Sequence, residues 1–238
     1  MAVSTARKLD RSEVEALVRT VLREKLAGRV NPPQSGGGSY GGNGRGGPPN
    51  PLVVNVSARH MHVSESDMRT LFGPDAKLTK MKDLYQQGEF ASEQTVTIVG
   101  PRQRIIPNVR ILGPNRKDSQ IELSYTDGIY LGLDLPLRVS GNIEGTPGIT
   151  VLGPIGAIQM SRGVIRAKRH VHMSIDDMSY YGVRDGDSMR LKIDGPCGLT
   201  LHNLVVRHHP KVVLEVHIDT DEGNACDLES ATNIELIK

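Results

Sequence analysis

The chain has 238 residues, 37% of them hydrophobic and only 3% aromatic, which is enough for one large domain or two small ones with a core of Val, Ile, Leu and Met. Its 29 basic and 27 acidic residues leave a net charge of +2, which gives no electrostatic reason to expect a nucleic-acid partner. No apolar run reaches the length of a membrane span, the first residues lack the regions of a signal peptide, and Cys197 and Cys226 form no CxxC pair, so a reduced, cytoplasmic setting is expected.

Residues 10 to 28 read as a short amphipathic helix. Val14, Leu17, Val18, Val21, Leu22 and Leu26 fall at helical spacing on one apolar stripe, and Ser12 with Glu15 forms a capping-box signature. Isolated helices of this length are marginal in water, so the stripe needs a surface to dock on. Residues 30 to 51 are Gly- and Pro-rich with almost nothing to bury, and read as a disordered linker. A helix on so long a tether reads as an interaction peptide, not as part of the core. Segments 1–28 and 29–51 are thus set apart from a body that begins at residue 52.

From Leu52 onward, short Val- and Ile-rich runs alternate with Gly, Pro, Asn and Asp. Leu52 to Val56, Thr95 to Val99, Val109 to Leu112, Ser188 to Ile193, Leu199 to Val206 and Val212 to Ile218 read as strands. Ser64 to Leu71 and Ser174 to Tyr181 read as helices, and Gly113-Pro114 and Gly153-Pro154 as turns at strand ends. The expected class is mainly β with a few short helices, in barrels or sandwiches.

Within this body lies a repeat. Arg59, His60, His62, Ser64, Asp67 and Met68 recur at a constant offset as Arg169, His170, His172, Ser174, Asp177 and Met178. The wide separation points to duplication of a small domain, with halves at 52–166 and 167–238. Each copy reads as a strand followed by a Ser-capped helix. On a strand, residues i and i+2 share a face, so His60 and His62 point together, as do His170 and His172, with Met61 and Val171 on the opposite side. Two imidazoles on one face can share a metal ion, and one such ion usually takes a third protein ligand. His217 and Glu122, both in strand-like runs, are the candidates. A single His-x-His is often just an exposed polar face, but two copies inside a longer repeat favour metal. His202, His208 and His209 lack the pattern and read as surface or structural. The isolated cysteines read as small packing residues.

The chain resembles the phosphate propanoyltransferases of bacterial microcompartments, the PduL-type phosphotransacylases. The resemblance rests on Ser57 to His62, Leu112 to Arg116, Gln120 to Glu122, Ser124 to Asp127, Leu131-Gly132, Pro136 to Gly141, Arg169 to Met173 and His217 to Glu222, in order, over nearly all of residues 52 to 238. It implies two related β-barrel domains, with the strand before His60 joining the second. It implies two zinc ions per chain, one on His60, His62 and Glu122 and the other on His170, His172 and His217. Arg116 matches the family's essential arginine, and Ser140 lies in a motif that helps form the substrate site. Arg138 is expected near the substrate or in positioning a loop. The run Asp221-Glu-Gly-Asn-Ala-Cys226 departs from the family's usual acidic-Glu-Ala-Asn-Ala pattern. The first 50 residues resemble an encapsulation peptide on a linker. Expected partners are acyl-CoA, phosphate, microcompartment shell or cargo proteins and a second copy of the chain, with no nucleic acid and no membrane.

The reaction so implied is acyl-CoA plus phosphate giving acyl phosphate plus CoA, reversibly, in a cytoplasmic microcompartment, with propanoyl or acetyl as the acyl group. Direct attack by phosphate on the thioester is preferred to a covalent acyl-enzyme, because neither cysteine lies in a nucleophile motif. A zinc hydrolase or isomerase on a duplicated β-barrel is the alternative, since the same ligands serve those chemistries. A non-catalytic microcompartment protein with structural zinc is a further rival. Zinc is preferred as the metal, although this donor set also suits cobalt, nickel or iron.

Overall fold

Short alternating runs become strands where one face has a core to bury, and they sort into two sheets. The protein, seen in a computed structural model, is described over residues 49–208 and 212–238. The helix expected at residues 10 to 28, most of the linker and His209 lie outside the described residues.

The chain begins with β1 (Val53–Ser57) and β2 (His60–His62), then α1 (Glu65–Phe72), β3 (Lys80–Asp83), β4 (Phe90–Val99), β5 (Ile105–Gly113) and β6 (Gln120–Glu122). It continues through α2 (Tyr125–Leu131), β7 (Leu137–Arg138), β8 (Ile149–Leu152), β9 (Ala157–Met160) and β10 (Val164–Ala167). The remaining elements are β11 (His170–Met173), α3 (Ile175–Tyr181), β12 (Ser188–Asp194), β13 (Leu199–His208), β14 (Glu215–Asp219), α4 (Thr220–Ala225) and β15 (Asn233–Ile237), with a short 3₁₀ turn before β15.

A nine-stranded sheet runs β7-β10-β6-β2-β5-β4-β8-β9, with β3 paired to β4, and a six-stranded sheet runs β1-β14-β11-β13-β12-β15. Each sheet curls around its own core. The first core gathers Met61, Met68, Leu71, Ile98, Ile111, Ile121 and Leu131, and the second gathers Val171, Met173, Met189, Leu191, Leu204, Val216 and Ile218. The fold is mainly β with few short helices, as expected. The chain changes sheets within a few residues: β1 pairs in parallel with β14, while β2 lies in the larger sheet. His60 is therefore tied through the backbone to the strand that carries His217.

Ser64 and Ser174 cap α1 and α3, their hydroxyls accepting from the amides of Asp67 and Asp177. Two further helices, α2 and α4, escape the periodicity argument because they are one to two turns long and show no apolar stripe. Capping boxes start both, Ser124 with Asp127 and Asp219 with Glu222. Gly132 ends α2 at φ 83°, the left-handed turn that glycine adopts without strain. The departure at Gly223 has a local reason: a Cβ there would sit 2.7 Å from a Val56 methyl of β1.

Candidate metal centre and active site

The two His-x-His strands occupy equivalent places in their sheets. β2 lies between β5, parallel, and β6, antiparallel; β11 lies between β13, parallel, and β14, antiparallel. The registers match as well. His60 faces Glu122 and His62 faces Gln120, while His170 faces His217 and His172 faces Glu215. One pairing rule, applied twice, thus brings a third ligand to the first histidine of each pair. Met61 and Val171 are fully buried on the opposite face and pin the imidazoles outward from each core.

The triads share a geometry. The His60 and His62 rings lie edge to face with centroids 5.0 Å apart, and His170 and His172 do the same at 4.9 Å. His217 stacks on His170 at 4.8 Å, and His60 Nε2 is 3.7 Å from Glu122 Oε2. Within each triad one ligand atom per residue falls within 4.8 Å of the others. Tetrahedral zinc bonds of about 2.0 Å would separate ligand atoms by roughly 3.3 Å, so a small contraction suffices.

The hydrogen bonds suit a metal ion. His60 Nδ1 contacts the Ala58 carbonyl at 2.8 Å and His170 Nδ1 the Lys168 carbonyl at 2.9 Å. A carbonyl can only accept, so each Nδ1 carries the proton, and Nε2 of the neutral ring presents its lone pair. Five buried side-chain polar atoms among the described residues lack a partner, and three of them, His62 Nδ1, His172 Nδ1 and His217 Nε2, belong to the triads. His217 Nε2 does lie 3.0 Å from Glu215 Oε2, but outside hydrogen-bonding geometry. Burial, and then the charge of neighbouring imidazoles, pulls His62 and His172 down to about 3 and His170 to about 4. These rings are neutral at pH 7, the form that binds metal. The residues present therefore fit two metal ions.

A polar network surrounds the first triad. Gln120 Nε2 donates to Glu122 Oε1 at 2.7 Å and to Ser140 Oγ at 2.9 Å, and Gly141 N–H donates to Gln120 Oε1 at 2.7 Å. Arg116 Nη1 also donates to Ser140 Oγ, at 3.0 Å, while Nη2 lies 3.8 Å from Glu89. Burial pushes the Glu122 carboxyl up, but His60, His62, Ser140 and Arg116 together outweigh it and hold the group below its usual range. Burial, and to a lesser extent Arg207, pulls the Arg116 guanidinium down against Glu122 and Glu89.

The second triad has a different neighbour. Glu215 is 1% exposed and accepts from Asn55 of β1 and from Gln86 of the β3–β4 turn. Burial raises its carboxyl, yet His217, Gln86 and Asn55 hold it low. One turn of the larger sheet thus sends Gln86 to the second triad and Glu89 to Arg116. The repeat extends to paired ions: Arg59 meets Asp127 at 3.0 Å and Arg169 meets Glu222 at 2.8 Å, each acid being the third residue of the helix that follows the third ligand.

A small cleft is lined by Glu122 of the first triad and by His170 and His217 of the second, among others. The sequence candidates His60, His62, Glu122, Arg116 and Ser140 converge, as do His170, His172 and His217. Arg138 does not join them: its guanidinium donates to the Leu137 carbonyl, and its backbone carbonyl accepts from Lys168. His202 is exposed and His208 Nδ1 contacts the Met173 carbonyl, as expected for surface and structural residues. Sequence reasoning missed Gln120, Glu215, Gln86, Glu89, Asn55 and Arg207. Gln120 and Glu215 each lie two residues before a third ligand, so strand alternation could have found them.

The family model of phosphate propanoyltransferase matches residues 53–229. Among proteins named phosphate propanoyltransferase, that of Planctopirus limnophila is 55% identical over 98% of this chain and 93% of its own. That of Lachnoclostridium phytofermentans is 51% identical over 74% and 83%, and that of Thermotoga maritima 45% over 79% and 89%. A duplicated β fold with this likeness defines a class, the phosphate acyltransferases. The chain belongs to the phosphate propanoyltransferase family, and it is an acyltransferase, not the hydrolase or isomerase that the ligand set alone left open.

Proposed function

We propose that the chain interconverts acyl-CoA plus phosphate and acyl phosphate plus CoA, with propanoyl or acetyl as the acyl group and two zinc ions per chain, on His60, His62 and Glu122 and on His170, His172 and His217. The observation that supports this most directly is the pair of triads in matching register, with Glu122 of the first and His170 and His217 of the second lining one cleft and Arg116 beside the first. Bound zinc would supply Lewis acidity toward the thioester carbonyl and positive charge toward phosphate.

The chain's own residues have separate tasks. Arg116 presents a permanently charged fork to phosphoryl oxygens, and Ser140 holds that fork at 3.0 Å. Gln120 fixes the Glu122 carboxylate and Ser140 together, so the ligand and the arginine share one support. A phosphate oxygen attacks the carbonyl carbon; the new C–O bond forms as the C–S bond breaks, and the CoA thiolate takes up the proton that hydrogen phosphate loses. No cysteine intermediate is required. Cys226 is buried, with its thiol raised by burial, and Cys197 is exposed near the β12–β13 turn.

The test is thiol release from propanoyl-CoA with and without phosphate, before and after chelation. Release that needs both phosphate and metal is expected. Release without phosphate would make the protein a thioesterase and overturn the proposal. Residues 1–28 are proposed to address the enzyme to a bacterial microcompartment by binding shell or cargo proteins. Removal of residues 1–48 should then abolish co-purification with the compartment and leave turnover in solution unchanged.

A further inference from the structure

Arg207 lies on the metal-bearing face of the six-stranded sheet. In the parallel pairing of β11 with β13, Val205 is the register partner of His170 and Arg207 that of His172. Partners in a ladder present side chains to one face, and burial alternates accordingly: Leu204 and Val206 are fully buried with Val171 and Met173, while Val205 and Arg207 are half-buried. As the register partner of His172, Arg207 leaves β13 on the face, and at the level, of the second triad.

Its pairing is unlike that of its neighbours. Arg116 has Ser140 and Glu89, Arg169 has Glu222, and Arg59 has Asp127. Among the described residues no carboxylate lies within ion-pair distance of Arg207, and the Glu215 carboxylate of that face is taken up by Asn55, Gln86 and His217. A half-buried guanidinium with no counter-charge among the described residues, beside a triad that is itself fit to carry a cation, leaves that face of the sheet short of negative charge. The group that best supplies it is a phosphoryl group, whose oxygens match the planar fork two at a time.

We propose that Arg207 is a second substrate-binding arginine, which grips a phosphoryl group from the side of the second triad while Arg116 grips from the first. The inference rests on the phosphate acyltransferase reading of the site. Inorganic phosphate (acyl phosphate in reverse) and the phosphates of CoA share this chemistry, and one set of experiments tells them apart.

The zinc-loaded wild-type, Arg207→Gln and Arg207→Lys proteins are compared by steady-state kinetics in both substrates, by calorimetric titration with phosphate alone, and by metal analysis. Loss of one charge-assisted, forked contact raises the relevant KM roughly 10- to 100-fold in Arg207→Gln, and less in Arg207→Lys. A rise in the phosphate KM with matching loss of phosphate affinity assigns Arg207 to inorganic phosphate. A rise in the acyl-CoA KM alone assigns it to CoA. Unchanged KM values for both substrates overturn the inference, and so does loss of zinc or of melting temperature in both variants, which would make Arg207 a support of the triad. Failure of the wild-type protein to turn over with phosphate would instead sink the reading beneath it.

Discussion

Replacing Glu122 with Gln tests the first triad with almost no change of shape. The carboxylate is 8% exposed, faces His60 across β2 and β6, and receives Gln120 on Oε1 at 2.7 Å. The amide keeps that volume but removes the one anionic donor of the proposed first site, and its NH₂ would oppose either Gln120 or the cation. If a four-position zinc site binds with roughly 10 to 16 kcal/mol, one ligand in four carries about 3 to 4 kcal/mol, or roughly 10²- to 10³-fold in affinity. The second triad, built on the other sheet, keeps all its ligands. Equilibrium dialysis against a graded chelator, followed by metal analysis, should show about one zinc retained per chain where wild type retains two, with turnover lost. The reciprocal variant, His217→Gln, should lose the other ion. Two ions held by Glu122→Gln at wild-type affinity would refute the triad.

Gln86→Ala removes a donor from the buried Glu215 carboxylate, and should weaken zinc binding at the second site about 10- to 100-fold while sparing the first, as competition dialysis would show. Arg169→Ala should cost about 1 kcal/mol in denaturant unfolding of the loaded protein, since the pair at 2.8 Å is only partly shielded from solvent. In the chelated protein, folded-state values of about 3 for His62 and His172 and about 4 for His170 lie below the ordinary 6.5. The unfolded chain therefore binds protons that the fold refuses, and stability falls as pH drops from 6.5 toward the folded values. Melting of the metal-free protein should shift down between about pH 7.5 and 5.5, and a flat profile would contradict the burial argument.

The sequence carried local features well and long-range register poorly. His60 with His62, and His170 with His172, were legible because strand alternation needs only neighbouring residues, and the repeat doubled the signal. The caps of α1 and α3 were legible because a Ser three residues before Asp is a local mark. Glu122 and His217 could be named as candidates, but the pairing that sets each opposite the first histidine of its strand joins residues far apart in the chain. Helices α2 and α4 are too short to show a period. Arg207 left no mark at all: a cation after a run of valines at the end of a strand looks like an ordinary solvated residue until β13 is placed beside β11.

The two sites are related by their register, yet their carboxylates have changed places. On β6 the residue opposite the second histidine is Gln120 and the one opposite the first is Glu122; on β14 these positions hold Glu215 and His217. Each sheet therefore keeps one buried carboxylate on the metal face, as a ligand in the first half and as the neighbour of a ligand in the second. The proposed first ion would have a carboxylate as a direct ligand, while the second would keep three neutral imidazole ligands with the Glu215 carboxylate beside them, 3.0 Å from His217 Nε2. Each side also has an arginine, Arg116 beside the first triad and Arg207 in register with His172 of the second. The two halves share one pairing rule, and a change of two side chains on one strand is enough to give their sites different ligand sets.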